Sequence, residues 1–323
     1  GQNLHGSDAS NELTYLFLQA QAHLLLPQPN LSLRIYNGSP QELLETATRV
    51  IAMGSGMPQI FNDEAVIPAL EAHGIHHEVR LPPAGGLHQH IEPVEAKVIN
   101  DGNTLAWSDA AMFNLLKALE LTLNHGVDQL TGEKTGLDLG DLTTYKTFEE
   151  LEEAYAKQID HFSDRMVTCI TQVEKMHELL LPTPFLSAVI DDCLSKGQDV
   201  TQGGARYNFA GVQAIQIANV ADSLAAIKLL VYDEKKLSAQ ELLHALQTNF
   251  EDAPLVRTML LSKAPKYGND VQWVDELGAK WVNYFADGLR KYRNGRGGIY
   301  QMGLYTVSAH VPMGRVDILV VVQ

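Results

Sequence analysis

Along the chain, apolar residues recur first with a helical period and then with a strand period. Residues 12–26 are dense enough in leucine, alanine and phenylalanine for a buried helix, which Pro27-Gln28-Pro29 ends. Leu31-Ser32-Leu33-Arg34-Ile35-Tyr36 then alternates as a strand does. A second helix is predicted from Ser39-Pro40, with acidic Glu42 in its first turn, to about Met53, where Gly54-Ser55-Gly56 stops it. Pro58-Gln59-Ile60-Phe61 reads as a short strand leading into polar Asn62-Asp63-Glu64, and residues 66–72 as a further helix. Alternation of this kind predicts an α/β architecture.

Farther on, residues 109–124 predict a helix, with Leu115, Leu119 and Leu123 at spacings of four and Gly126 just beyond. Residues 147–180 form a long amphipathic stretch opened by the capping pair Thr147 and Glu150 and closed by Pro182 and Pro184. Gly203-Gly204 breaks the chain, and residues 219–232 are helical. Ser238 with Glu241 caps a helix through Asn249, and residues 304–308 are strand-like. With no repeat, low-complexity tract or linker, a single domain is expected.

Composition narrows the class. The 323 residues are 45% hydrophobic, enough for a sizeable core, and 24 basic against 39 acidic residues give a formal charge of −15. Without a basic stripe the chain lacks the footprint of a nucleic-acid binder. No apolar run approaches the roughly 18 residues that span a bilayer, so an acidic, soluble, cytoplasmic protein is expected. The start, Gly1-Gln2-Asn3-Leu4-His5-Gly6-Ser7-Asp8, has neither initiator Met nor signal-peptide pattern and reads as the middle of a longer protein. Cys169 and Cys193 lie in helical segments without CxxC or zinc-ligand spacing, which favours free thiols in a reducing compartment.

Several segments, in order, carry a resemblance. They are Asn11-Glu12-Leu13-Thr14-Tyr15, Gln28-Pro29-Asn30-Leu31-Ser32-Leu33-Arg34, Gly54-Ser55-Gly56-Met57-Pro58 and Asn62-Asp63-Glu64. Gly203-Gly204-Ala205-Arg206-Tyr207-Asn208, Asn219-Val220-Ala221-Asp222-Ser223-Leu224-Ala225-Ala226-Ile227-Lys228, Lys266-Tyr267-Gly268-Asn269-Asp270 and Ala309-His310-Val311-Pro312-Met313-Gly314 follow. Together they resemble the glycyl radical enzymes of the pyruvate formate-lyase (formate acetyltransferase) family over most of residues 1–314, least well at 78–106, while 315–323 abandon the pattern. The resemblance implies an internal fragment, a segment of a ten-stranded β/α barrel made of two antiparallel five-stranded halves. It also implies a radical lyase or acyltransferase that cleaves C–C or C–O bonds of a small oxygenated substrate. In that family a glycyl radical takes hydrogen from a cysteine in the barrel, and the thiyl radical so formed takes hydrogen from the substrate. No bound cofactor or metal is implied. The radical is installed by a separate S-adenosylmethionine iron–sulfur activating enzyme, so the expected partners are substrate, activating enzyme and a second copy in a homodimer.

The family's cysteine loop, Gly-Cys-Val-Glu-Pro, is matched here by Gln89-His90-Ile91-Glu92-Pro93, which puts His90 at the cysteine position. Imidazole has no weak S–H bond to give up, and neither Cys169 nor Cys193 falls at the loop. The glycine motif Arg-Val-x-Gly-Tyr does not occur, so this chain alone is expected to be inactive. A frame change would account for the loop. If Gly86-Leu87-His88-Gln89 is encoded GGG-TTG-CAT-CAA, reading one base later gives Gly-Cys-Ile followed by a codon beginning AA, and the tail 315–323 has the look of a shifted frame. Nothing resembles the adjacent cysteine pair of a pyruvate formate-lyase proper, which favours the glycerol/diol dehydratase-like subgroup.

The resemblance makes Glu92 the general acid or base for a leaving group, against an exposed loop carboxylate. It makes Ser108 and Met112, beside Trp107 and Asp109, substrate-facing, against a helix cap and a core residue. Asn62, Asp63, Tyr207 and Asn208 fit strand ends facing a barrel interior, where structural hydrogen bonding competes with substrate contact. His310 follows the strand-like 304–308 and resembles a cavity-lining segment. A rival class is a zinc hydrolase built on His73, His76, His77, His88, His90 and Glu92. Two prolines and two glycines in 81–86 make a poor strand to carry it. A non-catalytic partial-barrel remnant with exposed sheet edges is the other alternative.

Overall fold

The computed structural model of the protein describes residues 7–26, 29, 31–72 and 105–304. The first stretch is a βαβ unit with a preceding and a following helix: α1 (Glu12–Leu24), β1 (Ser32–Ile35), α2 (Gln41–Ile51), β2 (Gln59–Asn62) and α3 (Asp63–Ala72). Asn11 caps α1, its Oδ1 accepting from the Leu13 and Thr14 N–H groups while the Thr14 hydroxyl accepts from the Asn11 N–H. β1 and β2 pair in parallel from Ser32↔Gln59 to Ile35↔Asn62, a pairing that needs a crossover, which α2 supplies. Leu43, Ala47 and Val50, at i, i+4 and i+7 of α2, meet Leu18 and Leu33 in a small core.

The second stretch runs β3 (Leu105–Asn114), α4 (Leu115–Leu123), α5 (Phe148–Leu180), α6 (Pro184–Val189), α7 (Cys193–Lys196), β4 (Tyr207–Ile215), α8 (Ile217–Ile227), α9 (Ala239–Gln247), α10 (Pro254–Lys263), α11 (Gln272–Leu289) and β5 (Tyr300–Leu304). β3, β4 and β5 form a parallel sheet in that order, with a bulge in β3 between Asp109 and Ala111. Parallel strands joined by helices have their connections on the sheet face, and the main core forms there. Tyr155 of α5 and Trp281 of α11 sit with ring centroids 4.4 Å apart, both fully buried, and the Tyr155 hydroxyl donates to the Leu115 carbonyl at 3.0 Å. Each such ring is worth about 1.5–3 kcal/mol of burial. Gly278 of α11 lets that helix close on α8, because a Cβ there would already touch the Tyr267 ring and approach Ala221.

Two boundaries and one helix cap differ from expectation. Residues 109–114 belong to β3, and the helix begins only at Leu115, where the Asn114 side chain accepts from the Lys117 N–H at 3.0 Å. The alanines of 109–114 favour helix locally, but nine residues of pairing with β4 override propensity. At α5, Thr147 caps the Glu150 N–H as expected, yet the Glu150 carboxylate turns to the Lys146 N–H at 2.6 Å rather than closing a box on Thr147. Beyond Ile227 the helix predicted to Tyr232 widens into a π turn over Lys228–Asp233. The Ser238–Glu241 box forms as read. Cys169 is exposed, Cys193 is buried, and both are free. No helix among the described residues is long and apolar enough to cross a membrane.

Candidate functional site on the helix-free sheet face

Side chains alternate along a strand, and residues in register on parallel neighbours point the same way. Ala210, Val212 and Ala214 of β4, Phe113 of β3 and Tyr300 of β5 lie in the helix-side core, with Ala111 and Met302 against it. The alternate row therefore faces away from the described helices. Among the described side chains it includes Tyr207, Phe209, Gln213 and Ile215 of β4, Met112 of β3 and Gln301 of β5, with Gly211 and Gly303 between them. None of these belongs to the core cluster.

This row is polar in its middle. Gln213 is 2% exposed and Gln301 6%, and Met112, in register with Gln213, is 56% exposed. Tyr207 stacks on Phe209 with centroids 6.1 Å apart. The sequence motif Gly203-Gly204 shapes the approach to β4. Gly203 has φ +85°, and a Cβ on Gly204 would collide with the Gln198 carbonyl. Just upstream, Asp199 ties the turn together. Its carboxylate accepts from the Ser187 hydroxyl (2.7 Å), the Thr183 N–H (3.0 Å), and the Thr201 N–H (3.0 Å) and hydroxyl (2.7 Å). Burial alone would raise that carboxyl, but these donors outweigh it and hold it at about 2.

A buried polar latch fixes β4 against β5. Glu174 of α5, 9% exposed, accepts from the Gly295 N–H at 2.8 Å and from the Arg296 Nε at 3.2 Å. The Arg296 Nη2 donates to the Phe209 carbonyl at 2.6 Å. Asn294 donates from Nδ2 to the Asn208 carbonyl (2.8 Å) and accepts at Oδ1 from the Arg296 and Gly298 N–H groups. A Cβ on Gly298 would land on the Asn208 carbonyl, so the two chains touch backbone to backbone there.

The residues singled out from sequence fall in different places. Met112 and Tyr207 lie on the helix-free row. Asn208 is on the other parity, its Nδ2 donating to the Gly203 and Ala205 carbonyls at 3.2 and 2.9 Å, so its amide braces the turn before β4. Asn62 ends β2 and accepts the Glu64 N–H at 3.0 Å. Asp63, 3% exposed at the start of α3, accepts from the Arg34 Nε at 2.9 Å, with Nη2 at 2.8 Å. Both are engaged with neighbouring groups of the chain. Ser108 lies in β3, in register with Ala210. His90, Glu92 and His310, like the histidines of the zinc alternative, lie outside the described residues, and among the described ones no His, Cys, Asp and Glu group could hold a metal ion. Sequence reasoning passed over Gln213, Gln301 and the Glu174–Arg296 latch. For the glutamines the signal was there, an amide set among apolar neighbours of a strand; for the latch, partners more than 100 residues apart leave none.

Solved structures share this fold. The chain superposes on the B12-independent glycerol dehydratase of Clostridium butyricum with a TM-score of 0.76 at 37% identity, covering 98% of this chain and 39% of that one. On the hydroxyproline dehydratase of Clostridioides difficile the TM-score is 0.78 at 31% identity, over 98% of this chain and 39% of that one. Among curated relatives, the (2S)-3-sulfopropanediol dehydratase of Klebsiella oxytoca is 34% identical over 97% of this chain and 37% of its own length. The chain thus spans less than two fifths of these relatives. Residues 1–314 match the pyruvate formate lyase-like family, and with its parallel sheets backed by helices the chain belongs to that family as a segment of the glycyl radical β/α barrel.

Proposed function

We propose that the protein containing this chain is a glycyl radical dehydratase or lyase that cleaves a C–O or C–C bond of a small oxygenated substrate by way of a thiyl radical. The observation that carries this reading is the superposition on a glycerol dehydratase across nearly the whole chain. In this reading the helix-free row lines the barrel interior, where Met112 and Tyr207 border the substrate. His310 completes the pocket, and Glu92 serves the leaving group. The protein's task is to hold the reacting atoms close and keep water and oxygen away. Its partners are the substrate, an S-adenosylmethionine iron–sulfur activating enzyme and a second copy of itself, in the cytoplasm. The chain alone, with His90 at the cysteine position, is inactive.

Sequencing the encoding DNA through residues 80–101 and past Gly314 tests the loop. A single-base correction that restores a Gly-Cys loop supports an ordinary enzyme, and a confirmed histidine codon at 90 supports a remnant. Anaerobic activation followed by electron paramagnetic resonance should give a glycyl doublet in the corrected full-length protein and none in this chain. A doublet from the chain itself would overturn its assignment as inactive.

A further inference from the structure

Gln213 and Gln301 are diagonal neighbours on the helix-free row. The register sets Gln301 beside Gly211 and Gln213 beside Gly303, so two amides alternate with two positions that have no side chain. A Cβ built on Gly303 meets nothing within 4 Å, which leaves open space beside the Gln213 amide. Gln301 is 6% exposed, and its Nε2 is buried without a hydrogen-bond partner. A buried amide donor that the fold does not satisfy is costly, and such groups persist where something else satisfies them. Neither glutamine belongs to the hydrophobic core, so packing does not explain their presence.

We propose that Gln301, with Gln213 beside it, is a specificity-determining contact, its amide N–H donating to a hydroxyl oxygen of the substrate, in the space that Gly303 leaves free. The two amides suit a hydroxyl; a sulfonate or carboxylate would call for a cation, and neither Gln213 nor Gln301 is one. The inference rests on the dehydratase reading above and deepens it.

The test uses the full-length protein in its unactivated form, with glycerol, 1,2-propanediol and trans-4-hydroxy-L-proline as probes, binding followed by calorimetry and folding by the unfolding temperature. Wild type should bind at least one probe. Gln301→Leu should weaken that binding about tenfold or more, since a lost hydrogen bond to a substrate hydroxyl has effects of this order. Its unfolding temperature should hold or rise, because an unsatisfied amide has gone. Gln301→Asn should fall between the two. Gly303→Ala, whose methyl enters open space, should weaken binding with folding intact, and it carries the test should the leucine variant not fold. If wild type binds a probe and both Gln301→Leu and Gly303→Ala bind it within twofold, the glutamine contact is wrong while the dehydratase reading stands. If wild type binds none of the three, the hydroxyl contact of Gln301 falls, while the dehydratase reading is judged separately by the glycyl doublet of the activated full-length protein.

Discussion

Glu174 offers the sharpest energetic test, because it is a carboxylate 9% exposed facing an Arg296 side chain of equal burial. Glu174→Ala removes acceptors for the Gly295 N–H and the Arg296 Nε at once and strips a buried guanidinium of its carboxylate. Breaking a buried pair by deleting one partner costs about 3–5 kcal/mol, since the remaining charge keeps its desolvation penalty. Glu174→Gln keeps one acceptor oxygen and a similar volume, so roughly half that loss is expected. The double variant Glu174→Ala, Arg296→Met should lose less than Glu174→Ala alone plus Arg296→Met alone, because the stranded charge is gone. Urea denaturation of the full chain, followed by far-ultraviolet circular dichroism, reads all four. A loss below about 1 kcal/mol for Glu174→Ala, or strict additivity in the double variant, would refute the latch as a coupled unit.

Three further outcomes are expected. Gly298→Ala should cost about 3 kcal/mol or more, or prevent folding, since its methyl meets the Asn208 carbonyl and neither backbone can yield without breaking the β4–β5 pairing; a soluble variant with an unchanged urea midpoint would contradict this. Asp199, held at about 2 against 3.8 when unfolded, contributes stability that is fully present above about pH 4 and fades as pH falls toward 2, amounting to about 1–2 kcal/mol after solvent screening. Asp199→Asn should therefore destabilise the chain at pH 6 and make little difference near pH 2, and an equal deficit at both pH values would refute the linkage. A thiol reagent at neutral pH should modify Cys169 rapidly and Cys193 only on unfolding, because Cys193 is buried and burial, with Asp199 nearby, pushes its thiol upward. Two fast thiols in the native chain would count against the placement of α7.

Much of the fold was legible because it follows from local pattern. β1 alternates, β2 is a short apolar run, α2 repeats its apolar residues at helical spacing, and Ser238 with Glu241 signs a helix start. β3 was not legible. Its Ala110-Ala111-Met112-Phe113 run lacks a period of two, the bulge interrupts what alternation there is, and the sequence continues without punctuation into Leu115. The site was half legible for a related reason. Polar residues following apolar runs, such as Asn62, Asp63 and Asn208, invite a functional reading, yet such side chains also bond locally: Asn62 accepts the Glu64 N–H, Asn208 donates to the Ala205 carbonyl, and Asp63 pairs with the Arg34 guanidinium. What tells Gln213 from Asn208 is parity relative to the helices, and parity appears only once register is known.

The two-sided character of β4 carries an evolutionary consequence. One parity is committed to helix packing through Ala210, Val212 and Ala214, and the strand's first turn is pinned by Asn294, Arg296 and Gly298, so those positions have little freedom to drift. The opposite parity owes nothing to the core. Exchanging Gln213, Gln301 or Met112 changes the chemistry of that face without asking any described helix to repack, so it can vary while the scaffold stays the same.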